Sequence, residues 1–200
     1  SDVCSSDLLR KAAEIVKATG GDAALAADAK ALADEVSAAL AKYAVSDTEE
    51  WGRVYAFEVD GFGGRVLMDD ANAPSLLSLP YLCGVDRNDP VYVNTRRMIL
   101  SSDGNPYYFK GRALEGIGSP HTGIGQVWPM SIIMRILTSD CDCEKRSMLK
   151  MLVATTADTG FMHESVDKDN PAKFSRRWFA WANTLFGEAV LEMAEKGMLK

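Results

Sequence analysis

Apolar residues recur every three or four positions through most of this chain, the period of helices that bury one face. The spacing predicts a helix over Leu9–Thr19 ending at Gly20-Gly21, since glycine is a common C-terminal signal. Asp22 then caps a long alanine-rich helix reaching about Val45, with apolar positions at Leu25, Ala29, Leu32, Val36, Leu40 and Tyr43. Lysines and acids fill its other face, so this helix is amphipathic and lies on the outside of the fold. A short helix is expected from about Pro74, and longer ones over Pro90–Leu100, Pro129–Thr138, Cys143–Ala157 and Trp178–Lys196. The last repeats an apolar face at Trp178, Trp181, Leu185, Ala189 and Met193.

The period changes between Glu50 and Leu67. Val54, Ala56, Phe57 and Val59 precede Asp60-Gly61-Phe62-Gly63-Gly64, and Arg65-Val66-Leu67 come next, which predicts a β-hairpin with a glycine-rich turn. Ser102–Gln126 reads as one long loop rich in glycine and proline and carrying His121. Loops of that length inside a compact domain tend to be functional. The pattern is therefore helices in antiparallel succession, with polar, glycine-rich loops between them.

Composition narrows the classes. At 200 residues the chain can bury one sizeable core, and its 47% apolar and 25% charged content is that of an ordinary globular protein. A net charge of −6 and no Lys/Arg block argue against a nucleic-acid surface. No apolar run is long enough to predict a membrane span. Cys4, Cys83, Cys141 and Cys143 lack both a disulfide framework and zinc-finger spacing, so reduced, partly buried thiols are expected. No Asn-x-Ser/Thr acceptor occurs, which favours a cytoplasmic over a secreted location. Residues 1–8 read as unrelated to the rest of the chain and are set apart as a leader.

Chemistry concentrates in the loops. Gly160-Phe161-Met162-His163-Glu164-Ser165 places a histidine beside a carboxylate, shortly before the aromatic run Trp178-Phe179-Ala180-Trp181. Rings that stack on a pyranose beside a working carboxylate are what enzymes acting on sugars need. Nearby rings would desolvate Glu164 and raise its pKa for general acid/base work; the plainer reading is a solvated loop glutamate. Asp69, Asp70 and Asn72 could fork onto vicinal hydroxyls, or Asp70 or Asn72 could simply cap a helix. His121 could bind a sugar hydroxyl or hold its own loop together. With only two histidines, a multi-histidine metal site is excluded, and no calcium-loop spacing surrounds the aspartates. The glycines near Gly116, Gly118, Gly123 and Gly125 match no phosphate-binding pattern, and no serine sits in a Gly-x-Ser-x-Gly elbow.

Five motifs in order carry a resemblance. Met68-Asp69-Asp70-Ala71-Asn72-Ala73-Pro74-Ser75-Leu76-Leu77, Gly118-Ser119-Pro120-His121-Thr122-Gly123, Val127-Trp128-Pro129-Met130-Ser131 and Gly160–Ser165 are succeeded by Trp178–Glu188. Together they resemble glycoside hydrolase family 125, from about residue 9 to the C-terminus. The resemblance implies a mainly α fold, part of an (α/α)6 barrel with a small β-hairpin, in which residues 9–200 are the C-terminal part of a single catalytic domain. It implies an exo-α-1,6-mannosidase that removes terminal mannose from a glycan with inversion, without a metal or other cofactor. On the family pattern Glu164 is the general base, and Asp69, Asp70, Asn72, His121 and His163 lie in or beside the mannose pocket. The family's acid is an aspartate in a preceding segment with no counterpart here, so the chain is expected to be a truncated, catalytically incomplete fragment. Two other readings stay open: a non-catalytic glycan-binding module, and another (α/α)6-barrel carbohydrate enzyme.

Overall fold

The computed structural model describes residues 2–199. They form seven helices: α1 (Asp2–Ala18), α2 (Ala23–Tyr43), α3 (Leu79–Leu82), α4 (Pro90–Ile99), α5 (Pro129–Thr138), α6 (Asp142–Ala154) and α7 (Ala180–Glu195). Short antiparallel strands link them. β1 (Val45–Thr48) pairs with β2 (Gly52–Tyr55), β3 (Glu58–Val59) with β4 (Arg65–Val66), and β5 (Tyr108–Lys110) with β6 (Glu115–Ile117). β7 (Gln126–Val127), β8 (Ser165–Asp167) and β9 (Phe174–Ser175) make a three-stranded sheet.

α5 is the hub. Nine of its ten residues are buried, from Pro129 to Thr138 with Arg135 the exception. A helix apolar on all sides belongs in the centre of a fold, and α6, α7, α3 and β6 all pack on it. Arg135 is held at the edge of this core by Glu144 at 3.0 Å and Glu115 at 3.4 Å.

α1 and α2 form an antiparallel hairpin. Gly20, at φ +69, makes the break that ends α1, and Asp22 caps α2 by accepting from the amides of Ala24 and Leu25. α1 begins at Asp2 rather than Leu9, so residues 2–8 of the stretch set apart as a leader form its first turns. The buried contacts of the pair are small: Ala13, Ala26 and Ala33 are at most 4% exposed. Leu25 and Leu32, central to the apolar spacing, are 58% and 49% exposed. Alanines allow two helices to approach closely, so they take the inner face and the leucine stripe is left on the outer one.

Three other expectations change. Val54 belongs to the β1–β2 hairpin, and the glycine-rich turn joins only the short β3–β4 pair. The helix expected from Pro74 starts at Leu79. The amides ahead of it are satisfied by side chains instead: Ser75 and Ser78 bond each other reciprocally, and Asp69 takes Leu76 and Leu77. The long loop contains the β5–β6 hairpin, whose Gly116 lies against α5; a Cβ there would sit 2.9 Å from Ser131 Oγ. The thiols differ too. Cys83 is disulfide-bonded, while Cys141 and Cys143 are free but exposed; the side chain of Cys4 lies outside the described residues.

Glu144, at the start of α6, ties α4 and α5 together through Arg96 Nη2 at 2.9 Å, Arg135 Nε at 3.0 Å and Ser139 Oγ at 2.6 Å. Burial pushes its carboxyl up, but hydrogen bonds from Ser139 and Arg96 and the charges of Arg96 and Arg135 outweigh that and hold it below the ordinary 4.5. A depressed folded value contributes stability above the unfolded value, and that contribution is lost as pH falls through the folded one. The stability difference between wild type and Glu144→Gln in urea unfolding is expected to be full at neutral pH and to shrink below pH 4.5. A difference constant across that range would exclude the ionic contribution.

Candidate active site

The three-stranded sheet brings the candidate residues to one edge. Val127 pairs with Val166, and Ser165 with Ser175, all antiparallel. The residue after β7 (Trp128), the residue before β8 (Glu164) and the residue after β9 (Arg176) therefore emerge side by side. The Glu164 amide donates to the Ser175 carbonyl at 3.3 Å, extending the ladder by one step to fix the glutamate backbone.

Glu164 is 6% exposed. Its Oε2 accepts from Ser175 Oγ at 2.9 Å and pairs with Arg176 Nε at 3.3 Å. Oε1 takes no hydrogen bond from the described residues. Besides the rings expected near it, the carboxylate is held by a hydroxyl and a guanidinium. Ser175 is in turn 2.8 Å from Ser165 Oγ, so the support behind Oε2 continues into the sheet.

The cleft in front of Glu164 has a volume of about 560 Å³ and an aromatic wall. Trp128 is buried at its base, donating Nε1–H to Thr122 Oγ1 at 2.7 Å. Phe179 meets Trp128 edge-on at 5.9 Å and Trp181 at 5.6 Å. Trp178 and Trp181 are each 57% exposed at the rim. Indole faces left open beside a buried carboxylate present apolar platforms to a sugar ring while polar groups meet its hydroxyls. Asn72 and His121 also line the cleft, with the His121 ring 6.4 Å from that of Trp128.

Of the residues read from sequence, Glu164, Asn72 and His121 meet at this cleft. Asp70 stands behind it: Oδ1 accepts from the Asn72 amide and Nδ2, and Oδ2 accepts from Ser119 Oγ at 3.0 Å. Its hydrogen-bond partners among the described residues are Asn72 and Ser119. Asp69 is fully buried and holds the amides of Leu76 at 2.8 Å and Leu77 at 3.0 Å. Burial pushes its carboxyl up to about 7 against the pull of those amides. Such shifts are common at reactive sites, but this side chain lines no part of the cleft and acts as a turn-builder. His163 is also buried, stacked at 3.8 Å on Phe174, with Nδ1 donating to the Arg176 carbonyl at 3.1 Å. It does not line the cleft. Sequence reading missed Arg176 and Ser175; the one signal was a basic pair, Arg176-Arg177, directly before the tryptophan run. Among the described residues, no group of three or more His, Cys, Asp or Glu is placed to hold a metal ion.

Residues 1–191 match the family described as metal-independent alpha-mannosidase (GH125). The chain belongs to glycoside hydrolase family 125. It is 53% identical over 176 residues to the meiotically up-regulated gene 157 protein of Schizosaccharomyces pombe, covering 88% of this chain and 35% of that protein. It superposes with a TM-score of 0.94 and 41% identity on a Streptococcus pneumoniae structure, covering 97% of this chain and 46% of the other. That structure comes from work on metal-independent α-mannosidases and is a non-productive complex with α-1,6-mannobiose. The family 125 chain thus spans between a third and a half of the length of these relatives.

Proposed function

We propose that this chain supplies the general base and much of the mannose pocket of an inverting exo-α-1,6-mannosidase built on an (α/α)6 barrel. The observation that carries this is Glu164: a nearly buried carboxylate with one oxygen held by Ser175 and Arg176 and the other free, facing an aromatic cleft. In the inverting reaction Oε1 takes a proton from water as the water oxygen bonds to the anomeric carbon. The glycosidic C–O bond breaks on the opposite face, and the leaving oxygen takes its proton from a second carboxylic acid, roughly 6.5–9.5 Å from the base. That acid belongs to a preceding segment, and the chain alone is catalytically incomplete. The exposed leucines of α2, with Leu8 and Ile15 of α1, support a further layer of helices over this hairpin.

The test compares the chain alone with the chain joined to a family-length preceding segment. Mannose release from α-1,6-mannobiose is expected only from the joined protein. Mannoside binding without turnover in the joined protein would leave a glycan-binding module, and cleavage of α-glucosides alone would remove the mannosidase reading.

A smaller effect is expected behind the cleft. Asp70→Ala removes the acceptor for Asn72 and Ser119, a loss of about 1.5–3 kcal/mol for hydrogen bonds to a charged group. Reduced stability in urea, together with weaker mannoside binding, checks this. Unchanged stability with weaker binding would show that Asp70 meets the sugar directly.

A further inference from the structure

We infer that Arg176 is a positioning residue for Glu164, fixing Oε2 so that Oε1 alone is presented to the attacking water. The inference rests on Glu164 being the base. Arg176 is 60% exposed in its side chain, so a salt bridge there would ordinarily be loose. Here it is anchored on several sides. Its Nε lies 3.3 Å from Glu164 Oε2, and its guanidinium sits 5.6 Å over the Phe179 ring. Its carbonyl accepts from His163 Nδ1 at 3.1 Å, and His163 is locked between Phe174 and the Thr156 carbonyl at 3.2 Å.

The backbone adds a second, independent sign. Arg176 has φ +48, the left-handed region that a non-glycine residue occupies only at a cost. That turn directs the chain from Ser175, whose hydroxyl binds Oε2, so that the very next side chain returns to the same oxygen. A hydroxyl donor and a guanidinium charge on one carboxylate oxygen hold that oxygen in place. The histidine beside the base thereby gains a purpose that sequence could not assign: it holds the arginine's backbone. Lys173 and His121 are the other basic groups lining the two grooves that Glu164 borders, and neither bonds it.

Arg176→Asn is the decisive variant in the joined protein, because asparagine tolerates the left-handed backbone while losing the guanidinium. It is expected to lower kcat about 10-fold to 100-fold, the scale of a misplaced catalytic group, with KM for α-1,6-mannobiose nearly unchanged. Arg176→Lys should recover part of the loss. Combined with Glu164→Gln it should add nothing further, since a group that acts through the base has no effect once the base is gone. Multiplicative losses, or a rise in KM alone, would overturn the assignment and make Arg176 a sugar-binding residue. The pair is also read without substrate: the Arg176 Nε–H resonance should exchange with water several-fold faster in Glu164→Ala, which leaves no side-chain acceptor beside it. If that holds while the joined protein cleaves no mannoside, the pairing stands and the mannosidase reading fails; if exchange is unchanged, the pairing itself is absent.

Discussion

Glu164→Gln in the joined protein is expected to cut mannoside hydrolysis by about 10²–10⁴, the range for loss of a general base, while binding of α-1,6-mannobiose stays within a few-fold. Glutamine has the shape of glutamate, and its carbonyl oxygen can take the place of Oε2, accepting from Ser175 and lying beside Arg176. Its amino group then occupies the Oε1 position, where it donates instead of accepting and cannot receive a proton from water. Folding should change little, because the lost ion pair is to a largely exposed arginine and is worth under about 1 kcal/mol. Initial rates of mannose release and calorimetric binding separate the two effects. A glutamine variant with the wild-type rate would remove Glu164 from the chemistry.

Trp128→Ala is expected to do the largest damage to the fold, about 3–5 kcal/mol by the usual cost of deleting a buried tryptophan. Trp128 is 2% exposed, stands at the start of the hub helix α5, and closes the end of β7. Its ring supports Phe179 and His121 from one side, and its indole N–H holds Thr122. Because whole domains are stable by only about 5–15 kcal/mol, the variant should unfold at markedly lower urea concentration. Trp128→Phe keeps much of the packing and loses only the bond to Thr122, about 0.5–1.5 kcal/mol. Equal losses in the two variants would show that the indole N–H, and not the ring volume, carries the site.

The two variants read different links of one arrangement. Glu164 is where the chemistry lies, and Trp128 is where the fold holds that chemistry in place. Both sit one residue beyond a two- or three-residue strand of the same sheet. Strands so short have weak patterns of their own, which is why the sheet was invisible in the sequence while the residues at its ends stood out.

Helix periodicity, with the Asp22 cap of α2, gave α2, α4 and α5 from the sequence to within a residue or two, because those signals are local. The ordered motifs around Asn72, His121, Trp128 and Glu164 likewise marked loops that meet at one cleft. Which face α2 buries was not local: alanines beat leucines only because α1 approaches closely. Nor could residue type separate Asn72 and His121, which line the cleft, from Asp69, Asp70 and His163, which bond to protein groups away from its lining. A carboxylate or imidazole suits either task, and only the chain's path through three dimensions determines whether amides or open space lie in front of it.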